Sequence, residues 1–161
     1  MHNFKRELYL KIIFIISCTA LVSAFFIEYA LGYQPCNLCL IERIPYGISI
    51  ILVITIFILK KNENFLIMLL ILTFIFSLAI SIYHFGIEQG FFQESSVCGT
   101  KDFNENITKE DLLELLSQER VSCKDVTFRI FGLSLTSINI VISLLLILTL
   151  TKIFNTYEKK R

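Results

Sequence analysis

The chain has 161 residues, 55% of them apolar, with no Trp and a mean hydropathy of +0.68. A soluble domain this small has too little interior to hide so much apolar surface, so lipid is the expected solvent. The formal net charge of +1 offers no argument for nucleic acid or any other highly charged partner.

The first apolar stretch, Ile12 to Ile27, follows a basic tail carrying Lys5, Arg6 and Lys11. A basic start and Val22-Ser23-Ala24 resemble a cleaved signal peptide, and Ile15-Ile16-Ser17-Cys18 loosely matches a lipidation site. The apolar run continues through Phe25-Phe26-Ile27 without a polar linker, which favours a retained helix. Removing that helix would leave the later topology unchanged. The second stretch, Ile44 to Leu59, is bounded by Arg43 and Lys60 and spans if Arg43 reaches toward the headgroups. Phe65 to Phe85 and Ile130 to Leu150 complete the set. Each is expected to be helical, because a helix satisfies its own backbone groups in lipid. The expected architecture is an all-α bundle of four transmembrane helices in one integral membrane domain over residues 1–161, with outer segments at roughly 28–43 and 86–129.

Orientation follows from Lys and Arg placement. The two tails and the Lys60–Asn64 turn together hold nine basic residues and only Glu7, Glu63 and Glu158 as acids. The opposite side holds six basic residues against eleven acids. Both termini are therefore expected in the cytoplasm, with the segments around Cys36 and Cys98 facing outward.

Four of the five cysteines, Cys36, Cys39, Cys98 and Cys123, fall on that outward side. Thiols facing out of a cell meet an oxidising compartment, where disulfides persist. Cys36-Asn37-Leu38-Cys39 is a C-x-x-C, a spacing that closes a disulfide and often holds a cysteine of lowered pKa. Arg43 follows Cys39 by four residues, so a helix starting near Cys39 puts both on one face, where the helix N-terminus and the guanidinium favour a thiolate. Pro45 suits a first-turn position in that helix. Cys98 and Cys123 stand 25 residues apart in the long second outer segment. Between them, Thr108 reads as an N-cap, and Leu112, Leu113, Leu115 and Leu116 as the apolar face of a short amphipathic helix over 108–119. A disulfide in such a loop suits exchange with a visiting protein, since attack needs access to one sulfur.

Other readings of these residues stand beside this one. Two inert structural disulfides are the commoner outcome for exported proteins, and four cysteines permit three pairings. A zinc site is not expected, because the spacings supply only one ligand pair. Cys18 reads as a small packing residue, and Asn106-Ile107-Thr108 as a chance glycosylation sequon.

Four spans, Pro35-Cys36-Asn37-Leu38-Cys39 followed by Glu42-Arg43, and Cys98 and Cys123 before the last helix together resemble the bacterial disulfide bond formation protein B family. Tyr83-His84-Phe85-Gly86-Ile87-Glu88 and Phe131-Gly132-Leu133-Ser134 are similar to stretches of the same family. The resemblance runs from the first helix to the last. It implies a protein thiol:quinone oxidoreductase of the bacterial inner membrane. A Cys98–Cys123 disulfide would oxidise a periplasmic, thioredoxin-fold thiol oxidase, disulfide bond formation protein A, with Cys98 the sulfur attacked. Cys36–Cys39 would reoxidise the loop pair and pass the electrons to ubiquinone or menaquinone through a Cys39 thiolate. Arg43 would hold the quinone. A disulfide forms with release of two electrons and two protons, which suits a lipid-soluble two-electron acceptor.

Among the remaining polar residues, His84 and Glu88 share one helix face and are candidates to line the quinone head or move its protons, a solvated interface pair being the alternative. Glu28 reads as an interfacial carboxylate. Ser134, Thr136, Ser137 and Asn139 read as helix-packing groups, and Phe91 and Phe92 as interface anchors. Two functional classes remain separable: a quinone-coupled thiol oxidase, and a tetraspan scaffold with two permanent disulfides. A quinone or quinone-epoxide reductase of the vitamin K type ranks lower, because there the C-x-x-C lies late in the bundle.

Overall fold

The computed structural model describes residues 2–59, 62–94, 98, 121–124, 128–130 and 132–158. Four long helices dominate: α1 (His2–Tyr29), α2 (Asn37–Leu59), α3 (Glu63–Glu88) and α4 (Leu135–Glu158). A short antiparallel pair, β1 (Arg129–Ile130) and β2 (Leu133–Ser134), precedes α4. The segments Arg6–Tyr29, Asn37–Leu59, Glu63–Glu88 and Leu135–Thr156 are each long and apolar enough to cross a membrane, the shortest having 22 residues. At about 1.5 Å of rise per residue, even that one exceeds the ~30 Å hydrocarbon core. The chain is a four-span, multi-pass membrane protein.

Lipid is as apolar as leucine, so burial of aliphatic side chains alone does not select helix partners here. Large apolar side chains accordingly face outward along every helix, among them Val22, Ile51, Phe76 and Leu148. The interior combines an aliphatic layer, including Ile13, Val53, Leu70, Phe74 and Leu150, with small polar contacts between helices. Ser49 donates to Ser17 at 2.7 Å across α1 and α2, and the Ser77 and Ser143 hydroxyls meet at 3.1 Å across α3 and α4. Arg6 pairs with Glu63, tying the start of α1 to the start of α3.

Packing runs α1 on α2, α2 on α3 and, most extensively, α3 on α4, whereas α1 and α4 barely touch. Among the described residues, the bundle is therefore left open between α1 and α4. Helix α3 stops cleanly on the opposite side from Asn62: Gly90 takes φ 77°, and the N–H of Phe91 and of Gly90 donate to the carbonyls of Gly86 and Ile87. That pattern needs a left-handed residue, which glycine supplies without strain.

Two local expectations need correction. Helix α2 begins at Asn37, two residues before Cys39, so Pro45 sits inside it instead of in its first turn. There its missing N–H leaves the carbonyl of Ile41 without its helical donor. Helix α4 begins at Leu135 rather than Ile130, because β1 and β2 turn through Gly132 at φ 84°, a conformation no α-helix contains. The expected amphipathic helix over 108–119 lies outside the described residues.

Candidate active site

Cys36 stands at the N-cap of α2, where its own carbonyl accepts from Leu40 N–H at 3.2 Å. Its sulfur accepts from Cys39 N–H at 3.3 Å, the role a serine or aspartate side chain usually plays at a helix start. Cys39, one turn on, brings its own sulfur to 2.8 Å from the Cys36 sulfur. His84 Nε2 approaches Cys36 Sγ from α3 at 3.5 Å. The Cys39 thiol and then His84 hold the Cys36 thiol well below its ordinary value of 9.0, against the opposing effect of burial. Donors thus converge on Cys36, not on Cys39, as the site of negative charge.

The imidazole is itself held from behind. His84 Nδ1 lies 2.9 Å from Glu42 Oε1 on α2 and 3.2 Å from Thr136 Oγ1 on α4. Asn139 Nδ2 donates to the other Glu42 oxygen at 3.0 Å and to Ser81 Oγ at 2.7 Å, while Tyr46 donates its hydroxyl to Asn139 Oδ1. Each of these side chains is buried. A buried carboxylate is stable only when its lone pairs are satisfied, and here amide and imidazole donors from two other helices do so. Thr136 also donates to Glu88 Oε1 at 2.6 Å. Glu88 Oε2, by contrast, is buried without a hydrogen-bond partner among the described residues.

Cys98 and Cys123 form a disulfide with Cα atoms 5.6 Å apart. Both cysteines are 2% exposed and pack in one cluster with Cys36, Leu38 and Ile87. Glu94 fixes the adjoining segment, accepting from Ser122 Oγ and, at 2.9 Å, from Lys124 N–H. The disulfide expected to lie open in the loop is instead buried against the first cysteine of the C-x-x-C.

Arg43 leaves the sulfurs and turns to α1. Its guanidinium pairs with Glu28 and lies 5.2 Å above the Phe25 ring. Glu28 is therefore an ion-pair partner rather than a free interfacial carboxylate. Arg43, Cys36, Cys39, Cys123, His84 and Glu88 all line one cavity of about 240 Å³. Its remaining walls are largely aliphatic and come from α1 (Leu21, Ala24) and α4 (Ile138, Ile142), the two helices that leave the seam open.

All seven candidate site residues therefore meet at one end of the bundle. Four further residues join them: Glu42, quoted above only within the family motif, Thr136 and Asn139, read above as helix-packing groups, and Tyr46, which no motif marked. Glu42 carried a usable signal, since a carboxylate within a membrane helix demands a partner. Its place in the site is hidden in the sequence because the apolar stretch starts at Ile44, after Glu42, whereas the helix starts before it. Asn139 and Thr136 join this network rather than only packing helices. Phe92 stacks on Tyr83 with ring centroids 5.7 Å apart, while Phe91 is 80% exposed, as an interfacial anchor would be.

A family model described as disulfide bond formation protein DsbB matches residues 6–153. An uncharacterised protein of Rickettsia prowazekii (strain Madrid E), RP370, is 30% identical over 137 residues, covering 84% of this chain and 80% of that one. No solved structure matches the chain.

Proposed function

The chain belongs to the DsbB family of disulfide bond formation proteins, and from that premise we propose that it oxidises a thioredoxin-fold thiol oxidase and passes the electron pair to a membrane quinone. One observation carries the reading: Cys36, Cys39 and Cys123, drawn from both cysteine pairs, line a single cavity between α1 and α4. The cysteine ends of the helices face the periplasm and both termini the cytoplasm, in keeping with the asymmetry of Lys and Arg.

The residues present fit a quinone. Arg43 and His84 offer donors for ring oxygens, aliphatic walls suit the ring faces, and the orphaned Glu88 Oε2 can accept a hydroxyl proton. The seam leaves an exit for an isoprenoid tail into lipid. When bound, the quinone supplies a two-electron, two-proton oxidant.

The chain's own residues do the rest. A partner thiolate attacks Cys98, the Cys98–Cys123 bond breaks, and Cys123 leaves as the thiolate. The partner's second thiolate then displaces Cys98 and departs with its own disulfide closed. The reduced loop pair exchanges in the same way with a Cys36–Cys39 disulfide, against which it already packs. Cys36 is the better leaving sulfur, because the Cys39 thiol, the Cys39 N–H and His84 stabilise its anion. Cys39, in the first helical turn and lining the cavity, is the sulfur that would react with the acceptor. His84 takes up or returns the thiol proton at Nε2, and Glu42 holds the ring in the orientation this requires.

The test is a thiol count. The fully reduced protein in detergent should lose four of its five thiols within a turnover time of adding a ubiquinone or menaquinone analogue. Cys39→Ser should abolish the loss, and Cys98→Ser should restrict it to one pair. Thiols indifferent to either quinone would leave a scaffold stapled by disulfides.

A further inference from the structure

The redox reading makes no use of one property of the site: its sulfurs and imidazole form a ligand set for a soft metal ion. Cys36 Sγ, Cys39 Sγ and His84 Nε2 all lie within 4.8 Å of one another. A tetrahedral Zn²⁺ with Zn–S near 2.3 Å and Zn–N near 2.0–2.1 Å separates its sulfur and nitrogen ligands by about 3.5 Å. Cys36 Sγ and His84 Nε2 already stand 3.5 Å apart. The two sulfurs, at 2.8 Å, would have to spread by about 1 Å. Cys39 is only partly buried and faces the cavity, so its side chain has room to do so.

Two features set this apart from a chance C-x-x-C. His84 Nδ1 donates its N–H to Glu42 Oε1 at 2.9 Å, so that once Nε2 gives up its own proton its lone pair is directed at the sulfurs. A carboxylate behind a histidine in this way fixes the tautomer and raises the basicity of a metal-binding imidazole. In addition, the Glu88 side chain is only 6% exposed and 4.0 Å from the same Nε2, with its second oxygen unpartnered among the described residues. It brings an uncompensated carboxylate to the open side of the three donors.

We propose that the reduced Cys36–Cys39 pair and His84 form a three-ligand Zn²⁺ site with its fourth position open to the cavity. Binding displaces the two protons held among these three donors and moves no electrons. The ion locks the pair as thiolates, so the disulfide cannot form until it leaves, and the oxidised pair has no site. Zinc is thereby a redox-state-dependent inhibitor. Sequence spacing hid the site because the third ligand comes from α3, 45 residues after Cys39. The inference needs only reduced thiols and stands whether or not a quinone is the acceptor.

The test uses the full chain carrying Cys98→Ser and Cys123→Ser, reduced and kept without oxygen or quinone. Zn²⁺ is titrated against a chromophoric chelator. One Zn²⁺ should bind per reduced chain and none to the Cys36–Cys39 disulfide form. Cys36→Ser with Cys39→Ser should weaken binding at least about 100-fold, and Glu42→Gln about 10-fold. In case the variants fold poorly, Co²⁺ added to the unaltered site gives a second readout: intense tetrahedral d–d bands with a sulfur-to-metal charge-transfer band. Absence of stoichiometric binding, binding that survives loss of both cysteines, or purely octahedral Co²⁺ spectra would overturn the site.

Discussion

Cys36 shows how one atom's surroundings set its chemistry. It receives an N–H from its own helix, a thiol from Cys39 and an imidazole from α3. Its pKa is lowered, so the thiolate persists as the pH falls below the range where free cysteine protonates. The thiolate is the nucleophile, and an unperturbed thiol loses about tenfold in rate per pH unit below its pKa. Alkylation of Cys36 in the reduced protein, followed by mass spectrometry, should therefore stay nearly flat between about pH 8 and pH 6. His84→Ala should restore part of the slope. Arg43 acts differently, through the cavity rather than the sulfurs. A hydrogen bond to a charged group contributes about 1.5–3 kcal/mol, so Arg43→Ala should raise the quinone KM by roughly tenfold or more. The intrinsic exchange between the two cysteine pairs should survive that substitution, as a quenched-flow thiol assay can determine.

At the scale of elements, the exit of α3 is a critical joint, because the chain leaves it toward Cys98. The reversal at Gly90 swings Phe92 back over Gly86, where an added Cβ would strike the aromatic ring. Gly86→Ala should accordingly cost about 1–3 kcal/mol in detergent unfolding, the usual range for overpacking. Pairing it with Phe92→Leu should recover most of that loss, since residues in contact are not additive. Additive costs would show that the ring simply moves aside. Helix α2 is a second joint. Its N-terminus presents Cys36 and Cys39, and its next turn presents Glu42 and Arg43 to opposite neighbours, α3 and α1.

At the scale of the whole molecule, the arrangement of four helices leaves the seam between α1 and α4 open beside the sulfurs. The lipid-borne oxidant proposed above would then reach the site sideways, without crossing water. The topology is open to a direct check in a variant lacking the native cysteines. A cysteine at Phe91 should react with a membrane-impermeant maleimide applied from the periplasmic side. One at Asn62 should react only after the membrane is permeabilised. The opposite pattern would invert the assignment of both ends.

Composition and hydropathy alone determined the number of helices, their lipid environment and the common end of the bundle at which four cysteines gather, because the bilayer imposes length and polarity on each segment independently. The C-x-x-C, Arg43, His84 and Glu88 were legible for the same reason: a polar or reactive group at a membrane helix end stands out locally. Only the tertiary structure decided that Glu42 and Asn139 stand behind His84, that Arg43 is drawn to Glu28, and that the loop disulfide is seated on the C-x-x-C. Those are contacts between α1, α2, α3, α4 and the loop, separated by 15 to 97 residues of sequence. Hydropathy has no record of them, because they depend on which face each helix turns toward its neighbours. In lipid that choice is made by a few polar and small side chains, not by the apolar pattern that makes the helices visible.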